Sequence, residues 1–146
     1  AAWNTGSSHS IETKRISLDL GSNLNRIECV FPDLTNPLTA VAGIVRRENA
    51  GDVAYNLSQG WLAYVQPRDK QHEYLGCGIV VPDAQPRVYD KWDHVLMTVP
   101  ARTNRFVYYT GAYWSKSPDF KGRSDWIRYL GQFAQDLKHP LKIVVD

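Results

Sequence analysis

Short runs in which apolar and polar residues alternate constrain the fold of this chain more than any other feature of its sequence. One such run occupies residues 16–20 and a second occupies residues 27–31, and the turn signal Gly21-Ser22-Asn23 lies between them. A period of two is the repeat of a β-strand with one buried face. The two runs therefore predict a β-hairpin.

Five further runs have the length and composition of strands. The first of them is continuously apolar, which is typical of a strand covered on both faces. Polar or proline-bearing connections separate the runs, and little helix is predicted between them. The pattern predicts a mostly-β fold, an antiparallel β-sandwich of either the simple or a supersandwich-like form. The five runs are residues 40–45, 60–65, 75–81, 92–99 and 105–113.

A segment near the C-terminus follows a helical period instead. Between Asp125 and Lys138 the apolar residues are spaced by three and four, which places them on one face of an amphipathic helix. Ser124 is a favourable N-cap, and Pro140 is expected to end the helix. Gly131 lowers the helix propensity by about 1 kcal/mol relative to Ala, so packing must hold this helix.

Length and charge exclude several classes of protein. We expect one domain over residues 1–146, with residues 1–10 as a loop and residues 141–145 as a final strand. The 17 basic and 15 acidic side chains leave a net charge of +2, which is too weak for a nucleic-acid binder. No apolar run approaches the roughly 20 residues of a membrane-spanning helix. No charged and apolar leader begins at Ala1, so we expect an export signal to be absent or already removed.

Aromatic side chains make up 12% of the chain, with five Trp, eight Tyr and four Phe. Such rings either fill a core, which is their commoner use, or form flat surfaces on which sugars stack. Candidates for stacking are Trp61, Trp92 and Trp114. Trp61 and Tyr64 are three residues apart on one predicted strand, so they face opposite sides and only one can face a given cleft.

A histidine within an aromatic strand is a candidate for acid–base chemistry. His94 shares a predicted strand face with Trp92 and Leu96. An imidazole in that position is either a hydrogen-bonded core residue or a general acid or base. No cysteine pair, phosphate-binding loop or metal motif accompanies it, so the sequence predicts no cofactor and no metal. Cys29 is predicted to point into a core, and whether it is bonded to Cys77 is left open.

Cations beside rings are candidates for holding an acidic ligand. Residues 108–114 contain four rings in seven positions, and Lys116 follows them. The cation would lie at the rim of a sheet edge, where it could bind a uronate carboxylate, or else it is merely solvated. Lys14 and Arg15 precede the first clear strand and are open to the same two interpretations.

Three segments carry a resemblance to a known family. Residues 109–120, YTGAYWSKSPDF, together with residues 13–25 and residues 60–64, resemble a bacterial domain family of unknown function. That family is found in loci for degrading pectin and other uronate polysaccharides. Its members are longer than this chain, so the resemblance implies that the chain corresponds to their C-terminal portion. It would then be a fragment, a processed piece or one part of an assembly, and its partner would be a missing N-terminal portion or a second copy in a homo-oligomer.

The resemblance implies a periplasmic or secreted protein that acts on uronic-acid-containing oligosaccharides, of lyase or dehydratase type. Such enzymes remove the proton beside the carboxylate, which requires a base, a cation and an acid. His94 would be the base or acid with Tyr113 as its partner, and Lys116 or Arg15 would hold the carboxylate. The alternatives are a non-catalytic carbohydrate-binding module, a purely structural part of a larger protein, and a glycoside hydrolase. The hydrolase would need two carboxylates; the candidates are Glu12, Asp93 and Asp119.

Overall fold

The computed structural model describes residues 2–5, 8–33, 38–47, 50–82, 86–91, 93–101 and 104–141. Over these residues the strands form antiparallel sheets of two, three and six strands, and one helix lies near the C-terminus. The predicted mostly-β, antiparallel class is therefore confirmed. The elements are β1 Ala2–Thr5, β2 Ser8–Ile11, β3 Thr13–Ser17, β4 Leu24–Val30, β5 Leu38–Val45, β6 Asp52–Asn56, β7 Trp61–Val65, β8 Leu75–Val80, β9 Arg87–Lys91, β10 His94–Ala101, β11 Arg105–Trp114 and α1 Arg123–Lys138.

Two of the sheets stack face to face. The six-stranded sheet has the order β3-β4-β11-β8-β7-β6, and the three-stranded sheet has the order β5-β10-β9. Leu62 and Ile79 of the larger sheet share one buried cluster with Val95 and Met97 of the smaller sheet. Val95 and Met97 are both 0% exposed. The first core therefore lies between the two sheets.

The helix covers part of the other face of the six-stranded sheet. Trp126, Leu130 and Ala134 are spaced four residues apart, and all three are buried against β7 and β8. Gly78 permits the close approach, because a Cβ at this position would lie 2.7 Å from the Leu130 side chain. The predicted amphipathic face is confirmed, and the sheet has a second core between its outer face and α1.

Residues that alternate along β11 divide between these two cores. Tyr108 packs against the first core, while Tyr109 and Tyr113 belong to the second. Trp61 lies in the second core and Tyr64 in the first, as the predicted opposition of their faces requires. Neighbouring aromatic residues therefore serve different layers of the molecule.

The N-terminal segment differs from its prediction. Residues 1–10 are predicted to be a loop, but β1 and β2 form an antiparallel hairpin in which Ala2 opposes Ile11. The predicted hairpin of the next two strands does form, between β3 and β4. All five positions of β3 are exposed because it is an edge strand, so its alternation does not reflect burial.

Two further predictions about β5 and α1 are wrong. The strand β5 is not covered on both faces, because it pairs with β10 at the edge of the three-stranded sheet and leaves Val41 53% exposed. The helix begins at Arg123, and its N-cap is Gly122 rather than Ser124. The Asp125 carboxylate instead accepts a bond from the Lys121 amide, 3.0 Å away. The sequence did not predict β6 and β9, and all but the first residue of the predicted final strand lie outside the described residues.

Candidate functional site

A hollow of about 340 Å³ opens at one end of the six-stranded sheet, beside the start of the helix. Its residues come from the start of β6, the end of β7, the loop that follows β7 and the first residue of α1. Several distant parts of the sequence thus meet at this point. We call it the arginine groove and define it by Asp52, Val65, Gln66, Arg68, Tyr74 and Arg123.

The loop between β7 and β8 positions two of these residues. The Gln66 amide donates to the Leu75 carbonyl at 2.9 Å, which closes the base of the loop. Near the tip, the Asp69 carboxylate accepts bonds from the Gln71 and Glu73 amides at 2.9 and 2.8 Å. Aspartate that bonds its own backbone in this way stabilises a tight turn. The loop consequently holds the residues at its two ends, including Arg68 and Tyr74, in place.

The arginine groove is electropositive. The guanidinium carbon of Arg68 lies 5.6 Å from the centre of the Tyr74 ring, a cation–π distance. On the other side, Arg123 Nε is 3.7 Å from the carboxylate of Asp52, whose side chain is 72% exposed. Solvent screens such an exposed pair strongly. Two guanidinium groups face one exposed carboxylate here, so the groove favours an anion.

Tyr113 lies behind the arginine groove and not in it. Its ring is 3% exposed and contacts the Tyr74 ring edge to face, with 6.0 Å between the ring centres. Burial raises the pKa of Tyr113 well above its ordinary value of 10, and the neighbouring Tyr74 raises it further. A phenol of this kind stays protonated at neutral pH. The predicted catalytic partner therefore occupies a supporting position beneath Tyr74.

Trp114 and Lys116 form a rim at the same end of the sheet. Both engage Glu73: Trp114 Nε1 donates to its carboxylate at 3.1 Å, and the Lys116 ammonium forms an ion pair with it. Lys116 Nζ also lies 5.5 Å from the centre of the Trp114 ring. Trp114 is 46% exposed, so its ring is available for stacking. The charge of Lys116 is balanced by Glu73, which makes it a weaker carboxylate ligand than predicted.

His94 lies in a different layer. It is the first residue of β10, and because Val95 points into the first core, the alternation of the strand points His94 away from that core. Its Nδ1 is 2.6 Å from the carboxylate of Asp93. Tyr113 faces the helix on the far side of the six-stranded sheet, so both the first core and that sheet separate the two side chains. The structure does not bring His94 and Tyr113 to one hollow.

The remaining predicted ligand residues are also dispersed. Lys14 and Arg15 are on β3, at the opposite edge of the sheet from β6. Being adjacent, they point to opposite faces, and Lys14 forms an ion pair with Glu12 at 3.4 Å. Trp61 is 7% exposed, and its indole donates to Gln59 at 2.8 Å, so it is a packing residue. Trp92 lies outside the described residues.

Nothing in the sequence pattern indicates that Arg68, Tyr74 and Arg123 form a site. The first two lie in and beside a loop that is recognisable only as polar, and the third lies some 50 positions further on. From the residues next to it in the sequence, each of the three is predicted to be an ordinary solvated side chain. Only the pairing of β7 with β8 and the docking of α1 bring the three together.

Metal and thiol chemistry find no support in the described residues. Over those parts of the chain, no three His, Cys, Asp or Glu side chains lie close enough to hold a metal ion. Cys29 and Cys77 are free thiols. Burial raises the pKa of Cys29 to about 12, so it is an unreactive thiol at neutral pH. Within the described ranges no helix has the length and apolar character to cross a bilayer.

A second charged cluster surrounds Glu28 on the helix-side face of the sheet. Arg26 Nη1 and Arg105 Nε lie 2.9 and 2.5 Å from the two oxygens of its carboxylate. The hydrogen bond from Arg26, aided by the charge of Arg105, holds the pKa of Glu28 below its ordinary value of 4.5. This cluster involves strands β4 and β11, away from the arginine groove.

Acid is expected to weaken the fold through Glu28. Because its pKa is lower in the folded chain, the stabilisation is complete above pH 4.5 and is lost as the pH falls through the folded pKa. Urea unfolding midpoints at about pH 6 and about pH 3 should therefore differ more for the wild type than for Glu28→Gln. An equal difference for both chains would contradict the assignment.

Comparison with known proteins gives a family but no described activity. The model of a domain of unknown function, DUF4861, matches residues 1–143, which confirms the resemblance to a family of unknown function. An uncharacterized protein P7 of Formosa agariphila is 28% identical over 153 residues, which cover 100% of this chain. The chain spans 38% of the length of that curated relative. No solved structure matches the chain.

Proposed function

We propose that this chain, which belongs to the DUF4861 family of domains of unknown function, binds uronic-acid-containing oligosaccharides and holds a uronate carboxylate in the arginine groove. The observation that carries the proposal is the presence of two guanidinium groups, Arg68 and Arg123, in one hollow. Its volume of about 340 Å³ is at the small end of the range for ligand sites, about 300–1,000 Å³. One acidic sugar ring is a suitable occupant.

The chemistry of the groove matches each part of a uronate. A guanidinium presents paired N–H donors to a carboxylate, and this bidentate geometry selects planar anions. Gln66 supplies an amide for sugar hydroxyls, and the Tyr74 ring supplies an apolar wall. The exposed ring of Trp114 lies at the same sheet end, on the face opposite to Tyr113, and offers a separate stacking surface for a sugar.

The structure supports a binding role better than it supports catalysis by His94, Tyr113 and Lys116. A lyase or dehydratase needs a base, an acid and a cation around one carbon atom. His94 and Tyr113 lie on opposite sides of the six-stranded sheet, and Lys116 is already paired with Glu73. Of the carboxylates that a hydrolase would use, Asp93 precedes β10 of the three-stranded sheet and Asp119 lies between β11 and α1, so these two are in different parts of the fold. Turnover by the longer protein, the link to pectin loci and a periplasmic or secreted location remain parts of the proposal.

Removing both guanidinium groups is expected to abolish most of the binding. For Arg68→Gln/Arg123→Gln we expect the affinity for trigalacturonate to fall about 10- to 100-fold, because two charge-assisted hydrogen-bonding groups are lost. Isothermal titration calorimetry at low ionic strength measures the affinity. Galactotriose, the neutral counterpart, should bind the wild type much more weakly than trigalacturonate does. Its affinity should differ little between the wild type and the double variant.

Arg128→Gln is the matched control. Arg128 is on the same helix as Arg123, is 76% exposed and pairs with Asp125 outside the groove. If this variant weakened binding as much as Arg123→Gln alone, the effect would be one of net charge and the groove would not be the site. Turnover of saturated or unsaturated uronate oligosaccharides that is lost in His94→Ala would overturn a purely binding role in favour of a lyase.

A further inference from the structure

We propose that the exposed ring of Trp114 is the centre of a second sugar-binding site, which recognises the apolar face of a neutral hexose ring and works independently of the arginine groove. We call this surface the tryptophan platform and define it by Leu75, Thr110, Ala112 and Trp114. The proposal rests on the proposed function, because it adds a neutral-sugar subsite to a domain that binds a uronate in the groove.

The register of β8 and β11 builds the tryptophan platform. Trp114 lies directly opposite Leu75, and Thr110 lies directly opposite Ile79, which belongs to the first core. Residues that pair directly point to the same face of a sheet, and so do residues two apart along one strand. All four members of the platform therefore project from the face of the six-stranded sheet that carries the first core.

The three-stranded sheet leaves this end of the face open. Ile79 is 2% exposed beneath that sheet, whereas Leu75 and Trp114 are 39% and 46% exposed. Ala112 is exposed as well. Contiguous exposed apolar residues with polar groups at their rim are typical of a ligand-binding surface.

The Trp114 ring is held in position before any ligand arrives. Its Nε1 donates to the Glu73 carboxylate at 3.1 Å, and Lys116, which is paired with the same carboxylate, lies 5.5 Å from the ring centre. The next residue is fixed as well, because the Ser115 amide donates to the Tyr74 carbonyl at 3.0 Å. A ring fixed in this way loses little conformational entropy when a sugar stacks on it.

The charges around the ring favour a neutral sugar over a uronate. The ion pair beside the ring contributes no net charge there. Arg47 lies toward the other edge of the sheet: its amide donates to Tyr64 Oη on β7 at 3.1 Å, two strands from β11. Burial raises the pKa of Cys77 on β8, and the charge of Arg47 opposes that rise, so this cation acts across β8 from Trp114. A hexose on the ring is therefore held by its C–H face and its hydroxyls.

The dimensions of the platform suit one sugar ring. Neighbouring strands are about 5 Å apart and two residues along a strand span about 7 Å, so Leu75, Ala112 and Trp114 cover an area similar to a pyranose. Thr110 borders this area; its Oγ1 donates to the Gly78 carbonyl at 3.0 Å, and the same oxygen can accept a bond from a sugar hydroxyl. A stable protein interface needs about 800 Å² on each partner, far more than these side chains supply.

Trp114→Ala is expected to weaken galactotriose binding about five- to tenfold, because the stacking surface is lost. Trp114→Phe keeps an aromatic ring and should weaken it by no more than about threefold. Tyr89→Ala is the matched control: Tyr89 is also 46% exposed but lies on β9 of the three-stranded sheet, so its loss should change the affinity less than twofold. Isothermal titration calorimetry with millimolar galactotriose measures all four chains.

A second ligand separates the platform from the arginine groove. Trp114→Ala should change trigalacturonate binding less than twofold, and Arg68→Gln/Arg123→Gln should leave galactotriose binding unchanged. Amide chemical shifts of Cys77 and Ala112 should move on addition of galactotriose to the wild type and not to Trp114→Ala. An equal loss of trigalacturonate and galactotriose affinity in Trp114→Ala would overturn the independence of the two sites.

The remaining outcomes distinguish the two proposals. If the double variant weakens trigalacturonate binding and Trp114→Ala leaves galactotriose binding unchanged, the platform is overturned and the groove stands. Weaker galactotriose binding in Trp114→Ala, with trigalacturonate binding intact in the double variant, would leave the platform and overturn the groove. Equal effects of Tyr89→Ala and Trp114→Ala would mean non-specific contact with exposed rings and would overturn the platform. A wild-type chain that binds no galactotriose would overturn it too, and a protein segment would then be the occupant of this surface.

Discussion

Trp126→Ala is expected to lower the free energy of unfolding by about 3–5 kcal/mol, the usual cost of truncating a fully buried tryptophan. Trp126 is 0% exposed, and its ring centre lies 5.1–5.6 Å from those of Phe120, Tyr113 and Tyr129. Its indole N–H also donates to the Cys77 carbonyl at 3.2 Å. The substitution removes this donor and leaves a cavity between α1 and β8, and urea unfolding followed by circular dichroism measures the loss.

Trp114→Ala provides the control for the same change of residue type. Trp114 is 46% exposed and lies at the end of β11, so we expect it to cost less than about 1 kcal/mol. We expect the loss of this exposed ring to lower the affinity for oligosaccharide instead, because the ring is the proposed stacking surface. Similar unfolding midpoints for the two variants would contradict the distinction between core and rim that the structure draws.

The helix and its packing face were predictable because a single local period determines them. Trp126, Leu130 and Ala134 repeat at the helical spacing, which places all three on one face of a helix. The alternation along β11 was predictable for the same reason, as a strand has only two faces. In contrast, the N-cap could not be predicted, because Ser124 is locally the better cap. The helix instead begins after Gly122, whose positive φ of 153° favours glycine.

The candidate site was harder to predict than the fold. The residue types suit uronate lysis, with His94 as base or acid, Tyr113 as its partner and Lys116 as the carboxylate ligand, yet the pleat of β11 buries Tyr113 between the sheet and α1. The two arginines of the groove could not be predicted as neighbours, because Arg68 and Arg123 are far apart in the sequence. Strand pairing and helix docking bring them together. Charge alone suggests a ligand role for Arg15. Its cross-strand neighbour Glu28 comes from β4, and a pairing register is not legible in one sequence.

Gly76→Ala is expected to destabilise the chain by about 2–3 kcal/mol and to weaken uronate binding together with stability. A Cβ at Gly76 would lie on the Tyr113 ring, with the Tyr113 Cδ1 atom only 2.5 Å away. This ring cannot yield easily, because Phe120 and Trp126 pack against it. Any displacement of Tyr113 is passed to Tyr74, the wall of the arginine groove.

Gly131→Ala is the matched substitution with the opposite expected sign. Gly131 is within α1, and the nearest atoms to an added Cβ are 3.6 Å away, an ordinary contact. Alanine should therefore stabilise the chain by up to about 1 kcal/mol through helix propensity alone. Urea unfolding of both variants, with trigalacturonate titrations below the unfolding transition, tests the chain of contacts from β8 to the groove. A Gly76→Ala chain with wild-type stability and affinity would show that Tyr113 does not position Tyr74, and the support for the groove would have to come from the loop after β7 alone.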